Sequence, residues 1–242
     1  MTTFADLKSE VQDLVIDLPT RVQARVGDYV NRAVEDLQVK YNFRVMRALH
    51  EVNTVVATRS LGNLPSNWKE PRLRPWYKDQ TGNETPLEWI GDEDEELYKQ
   101  YATTDANDKG PPSHLFARDI DDLGTKRLEV YPFPDGLSDW TSSPVGEYRM
   151  VLPYYKFLAV LSGDTDANWF TNKATEYIVH QAAGHAFTAD WDEQRAAVHF
   201  QLAITKERKP KRLDAAYAGP SERVLSVRAD VRGFRNAVGW RY

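Results

Sequence analysis

The chain has 242 residues, no cysteine, 41% hydrophobic and 12% aromatic residues, and a formal net charge of −5. Length and apolar content predict one large domain, or one domain with an elaborate insertion, whose core needs no staples. This composition excludes wholesale disorder, disulfides, thiolate metal sites, a cysteine nucleophile and a general nucleic-acid coat.

The N-terminus "MTTFADLKSEVQDLV" has no cationic start followed by an apolar run, so it is not a secretory signal. No apolar stretch nears the roughly 18 residues needed to span a bilayer. The expectation is a protein made in the cytoplasm that stays soluble or joins a soluble assembly, without a membrane.

Phe4, Leu7, Val11, Leu14 and Val15 recur at three- and four-residue steps, which predicts a helix over 3–17. Pro19 marks a break. Val22, Val26, Val30, Ala33, Val34 and Leu37 form a second stripe, opposite Arg25, Asp28, Arg32, Glu35 and Asp36, and predict a helix over 20–41. Residues 1–52 therefore read as a helical hairpin belonging to a core.

The period then changes at "NTVVATRS", rich in β-branched residues. Residues 63–79 hold three prolines and two tryptophans, so any strand there is short or at an edge. Trp68, Trp76 and Tyr77 make this a candidate partner-contact loop with aromatic anchors, against the plainer reading of ordinary packing. A short helix is expected near 92–101. "KRLEVYPFPDG" reads as a strand closed by a Pro-Asp-Gly turn, and residues 146–162 as a strand with Pro153 inside it. Residues 53–162 are thus a β-containing, loop-rich insertion. Helices return over about 167–188 and 190–208, until Pro210 and "AYAGPS" end the 163–221 segment of the core. The expected class is α+β: a mainly helical bundle core, this insertion, and an extended C-terminal arm over 222–242.

Catalytic material is sparse. His180 and His185 are five apart, about 140° around a helix, whereas paired ligands on one helix usually sit four apart. "DIDDLGTKRLEV" imitates a calcium loop but puts Leu123 fifth and Val130 twelfth, where oxygen ligands belong. "DTDANWFTNKAT" has Trp169 where such a loop needs glycine and reads as a helix N-cap cluster. No G-x-S-x-G, Walker loop or G-x-G-x-x-G is present. No catalytic residue, metal or cofactor is expected. The acidic run Asp92, Glu93, Asp94, Glu95 and Glu96 reads as a solvated face or a first helical turn. The basic run Lys206, Arg208, Lys209, Lys211 and Arg212 sits at a predicted helix C-terminus. Dipole complementarity explains it; a contact with an acidic partner or DNA phosphate is the sharper alternative.

The tail carries five arginines in 222–242. Leu225, Val227, Ala229 and Val231 alternate with Ser226, Arg228, Asp230 and Arg232, the two-residue period of a half-buried strand. Gly233 ends the alternation, and Phe234, Trp240 and Tyr242 offer anchors. A lone strand needs a sheet elsewhere. The expectation is an arm that docks on a partner, with Arg223, Arg228, Arg232, Arg235 and Arg241 meeting acidic groups. The alternative is that it completes its own subunit's sheet.

An ordered series of motifs carries a resemblance. "VQARVGDYVNRAVEDLQVKYNF" holds Asn31, Ala33, Tyr41 and Phe43. "NLPSNW", "KGPPSHLF" with Gly110 and Pro112, and "LEVYPFPDG" with Pro132, Pro134 and Asp135 follow, then "GEYRMVLPYYKFLAVLSGDTDANWFTNKATEYIVHQAA". Over about residues 3–208 this resembles the head-to-tail adaptor (connector) proteins of tailed bacteriophages. The resemblance implies a virion structural protein at the head–tail neck, not an enzyme. It implies a dodecameric ring of identical copies bound to the portal protein. The ring extends the channel through which double-stranded DNA passes without sequence-specific binding. It also presents a platform to a tail, nozzle or tail-completion protein. Asp92 to Glu96 are candidates for an acidic lining, since cumulative phosphate contacts would stall the DNA. Residues 78–108 and the arginine tail depart from the family pattern. A DNA-binding or packaging accessory protein is the alternative reading, and a hydrolase with a dispersed site the third.

Overall fold

A computed structural model describes residues 1–79, 82–90, 109–119, 126–135 and 148–216. The chain divides into two compact units, one of Met1–Val45 with the residues from Leu158 onward, the other of Met46–Phe157. The first is helical and the second is built of strands, an α+β chain.

In the helical unit, α1 (Phe4–Leu14) begins with a capping box, in which Thr3 and Asp6 each accept the other's backbone N–H. It buries Phe4, Leu7 and Val11. The stripe foreseen over 20–41 is buried, but the helix is interrupted at Ala24–Arg25, giving α2 (Thr20–Gln23) and α3 (Val26–Lys40). α4 (Trp169–Lys173) starts at Asn168, whose side chain accepts from the N–H of Thr171, so this acidic-polar stretch is an N-cap cluster as read. α5 (Thr175–Ala189) is the central element and touches α1, α2, α3, α4 and α6 (Glu193–Lys206). Its buried Ala182, Ala183, Gly184 and Ala186 let neighbours approach closely. At Gly184 a Cβ would lie 2.5 Å from Cε1 of Phe200, so only glycine admits that ring without a shift. One further helix, α7 (Arg208–Ala216), runs through Pro210, where the sequence pattern predicts an end to the helical segment. The proline falls in the first turn of α7, where its missing N–H has no helical partner to lose.

In the sheet unit, β1 (Arg47–Asn53) pairs antiparallel with β11 (Arg149–Lys156) along its whole length. β11 also pairs with β3 (Trp68–Pro71) and β4 (Trp76–Lys78), and β4 with β5 (Glu84–Pro86). A second sheet runs β2 (Ser60–Asn63), β9 (Lys126–Tyr131), β8 (His114–Asp119), β6 (Glu88–Ile90). Leu61, Leu115, Leu128 and Val130 from this sheet meet Tyr77, Met150 and Leu152 from the first in one core. Pro153 is tolerated in β11 because it falls between the residues paired to β4 and those paired to β3, while its carbonyl accepts from Arg72 N–H at 3.0 Å. The unit's limits, 46 and 157, compare with 53–162 read from the sequence, because β1 takes in residues 47–53. The short helix expected near 92–101, the acidic run Asp92 to Glu96 and the 222–242 arm lie outside the described residues. Among the described residues no helix is long and apolar enough to cross a membrane.

Candidate functional site

The basic run at the end of α6 is tied into the helical unit. Lys206 and Lys209 reach the carboxylate of Glu176 at 2.7 and 3.0 Å. Their hydrogen bonds hold Glu176 at a pKa of about 2. Lys211 pairs with Glu207, which also accepts from Lys40 at 2.6 Å and from the Tyr41 hydroxyl. Glu207 is buried, which pushes its pKa up, yet the bonds from Lys211, Lys40 and Tyr41 outweigh burial and leave it at about 2. The Lys211 ammonium stands 3.8 Å from the centre of the Tyr41 ring. Arg208 and Arg212 stay exposed. Asp214 of α7 accepts the N–H of Arg44 at 2.9 Å, so α7 is strapped to the segment that follows α3.

The motif residues of the sequence series come together locally. Asn31 clamps Leu161 in both directions, donating to its carbonyl at 2.9 Å and accepting its N–H at 3.0 Å. Gln38 accepts the N–H of Leu158 in the same manner. Ala33 is fully buried, and Phe43 packs on Trp169 and Phe170 at 5.3 and 5.1 Å. In the sheet unit β7 (Lys109–Gly110) pairs in parallel with β10 (Phe133–Pro134), which joins the Gly-x-Pro and Pro-x-Pro-Asp segments. The Asp135 carboxylate accepts from the Tyr148 hydroxyl at 2.8 Å; burial, then this bond, pushes that phenol's pKa up.

Of the aromatic contact loop, Trp68 lies in β3, stacked on Tyr154 at 4.7 Å and on Trp89 at 5.9 Å. Tyr77 is buried edge-on to Tyr148. Trp76 lies in β4, and its Nε1–H is buried without a hydrogen-bond partner among the described residues. Trp68 and Tyr77 thus pack inside the sheet unit. The arm residues from Arg223 to Tyr242 lie outside the described residues.

His180, His185 and His199 join helices. His180 Nδ1 faces His199 Nδ1 at 3.3 Å across α5 and α6, and burial lowers the pKa of both. His185 meets Asp36 at 2.7 Å, with Gln181 donating to the same carboxylate oxygen at 2.8 Å. Among the described residues no three His, Asp or Glu side chains converge as metal ligands.

Three features escaped the sequence reading. Glu207 is the hub of the basic run, and its signal was available: a lone acid inside "KERKPKR". Gln38 on the mostly buried face of α3 had no apolar-pattern reason to be there. Trp191, at the α5–α6 turn, is 86% exposed with a left-handed φ of 62°, and nothing in its neighbourhood of charged residues announced it.

A family model described as SU10 adaptor protein matches residues 2–224 of the chain. No curated protein matches it.

Proposed function

The chain belongs to the SU10 adaptor protein family, a phage head-to-tail adaptor family, and from that premise we propose that it is one subunit of a ring seated between portal and tail in the virion neck. The family is one of structural adaptors rather than enzymes. In this reading the ring is dodecameric. Its helical unit serves as a rigid bundle core, and its lumen continues the DNA channel of the portal. Its far surface receives a tail, nozzle or tail-completion protein. The 222–242 arm extends from the helical unit to the portal or to a neighbouring subunit. The observation that carries the proposal is the family match, whose span of residues 2–224 takes in both units.

A cyclic assembly needs two different faces on each subunit. The net charge of −5 suits a lumen that does not hold DNA through summed phosphate contacts. The alternative, a DNA-binding or packaging accessory protein, drew on the 206–212 run and the arginine tail. Pairing of Lys206, Lys209 and Lys211 with Glu176 and Glu207 weighs against the first of these.

The test is electron cryomicroscopy of purified protein together with portal-bearing particles. Rings at the head–tail junction are expected. A monomer that stays dispersed and off the particles overturns the reading. Duplex binding by the isolated protein, steeply weakened by salt, would instead favour the accessory protein.

A further inference from the structure

We propose that residues 225–232 of one copy add as a strand to the open edge of β1 in a neighbouring copy, the contact resting on the ring reading above.

The edge comes first. Among the described residues β1 is bonded on one side only, to β11. The Thr54 N–H donates to Tyr148 O at 2.9 Å, which fixes the alternation. Val52, His50 and Ala48, opposite Met150, Leu152 and Tyr154, turn their backbone groups inward to β11. Leu49, Glu51 and Asn53 therefore turn their N–H and C=O groups outward. Proteins usually blunt such an edge. Among the described residues the other edges of the two larger sheets are blunted: β2 carries a register shift with Gly62 at φ 93°, β3 and β5 end in prolines, and β6 is three residues long. β1 is seven residues long, in unbroken register, with neither proline nor bulge. Leu49 is 57% exposed on it.

The occupant has the matching pattern. Residues 225–232 are an eight-residue alternation with no proline or glycine. A strand of that length covers β1 from end to end at about 3.3 Å per residue. Added to β1, Leu225, Val227, Ala229 and Val231 continue the face that carries Val52, which packs on the sheet core. Arg228 and Arg232 then fall on the exposed face with Glu51, whose carboxylate is 3.6 Å from Arg149 and open to a second cation. Eight residues of sequence, 217–224, separate the end of α7 from this stretch, enough for about 26 Å if extended. This is strand addition, in which backbone bonds bind and alternating side chains select.

The test places a benzophenone amino acid at Leu49 in full-length protein. A mixture of isotopically heavy and light copies is assembled on portal-bearing particles and irradiated. Mass spectrometry is expected to find position 49 linked to peptides from 222–242, with half of the links joining heavy to light copies. Links confined to one copy, or none to the tail, overturn the proposal. If particles still carry rings in that case, the ring reading stands and only the strand pairing falls. If the protein neither assembles nor meets the particles, both fall. Glu51→Pro gives a second measurement: it removes an outward N–H that β11 does not use. It should keep the circular dichroism of the parent and abolish the tail cross-link. A retained cross-link would refute backbone pairing at this edge.

Discussion

In the helical unit, polar side chains join segments far apart in sequence: Lys8 to Asp164 at 2.5 Å, Lys40 to Glu207 at 2.6 Å, and Asn31 to the backbone of Leu161. In the sheet unit the joins are mainly backbone ladders and rings, with fewer side-chain bonds such as Tyr148 to Asp135 at 2.8 Å and Tyr154 to Asn67 at 3.2 Å. Trp68 stacks on Tyr154 and Trp89, and an ion pair such as Lys78–Glu84 at 2.9 Å only links adjacent strands. The helical unit thus satisfies its long-range polar groups at home, including most of its basic run. The sheet unit leaves backbone donors and acceptors of β1 unpaired among the described residues. Sensitivity to charge removal resides in the first unit, and capacity for extension in the second.

The largest expected effect comes from cutting a core. Phe170, fully buried against Phe43, should cost about 3–5 kcal/mol when changed to alanine. Far-ultraviolet circular dichroism in urea reads that loss as a lower midpoint of the helical transition. Leu128→Ala removes a similarly buried side chain from the sheet core and should cost about 2–5 kcal/mol. If the helical transition moves equally in both variants, the two units unfold as one and the contrast loses its energetic meaning.

Next comes the Glu207 hub. Glu207→Gln should cost about 1–3 kcal/mol, since the charge-assisted bonds from Lys40 and Lys211 become neutral ones. The pH dependence follows from its pKa of about 2 in the folded protein against an ordinary 4.5. A depressed carboxyl contributes stability that is complete above 4.5 and lost as pH falls toward 2. The parent's urea midpoint should therefore drop across that window, and the variant's should drop less. Equal slopes would mean that other carboxylates dominate acid unfolding.

Much of the helical unit was legible because its stripes are long. Val22 to Leu37 recur at helical spacing, and every residue of that stripe is buried. The break at Ala24–Arg25 was not legible, since no glycine or proline marks it. Nor was α7, because Pro210 reads as a stop unless it is known to sit in a first turn. In the sheet unit the short strands hold two to four residues each, too few for a period to declare itself, and most of their pairing is set by partners distant in sequence. Trp68 and Trp76 attracted notice as anchors for a partner, whereas stacking on Tyr154 accounts for the first. Composition cannot separate an aromatic that packs inward from one that waits for a partner. The ordered motifs served better, because Asn31 and the Pro-x-Pro-Asp segment are where the chain closes on itself.

A smaller effect is expected at Asn31. Replacing it with alanine leaves the N–H and C=O of Leu161 without their partner, at a cost of about 1–2 kcal/mol because the site is only partly buried. Asn31→Asp keeps the acceptor for the N–H and loses the donor to the carbonyl, so it should fall between parent and alanine variant. Amide hydrogen exchange at Leu161 gives a local reading: faster in the alanine variant, near-parental in the aspartate variant. Identical exchange in all three would show that the clamp does not hold this segment.

The smallest effect should come from the sheet unit, at Trp76. Its indole N–H is buried with no partner among the described residues, so folding strips water from that donor and returns nothing. Trp76→Phe removes the donor and relieves that cost, while the smaller ring gives up part of the contact made by the half-buried indole. The two terms oppose each other, and the net change in the urea midpoint should correspond to within about 1 kcal/mol of the parent. Trp76→Ala keeps the relief and loses nearly all the packing, so it should be clearly worse. A phenylalanine variant as damaged as the alanine one would mean that the N–H is bonded in solution, and the sheet unit would then have one more polar join beside those of Tyr148 and Tyr154.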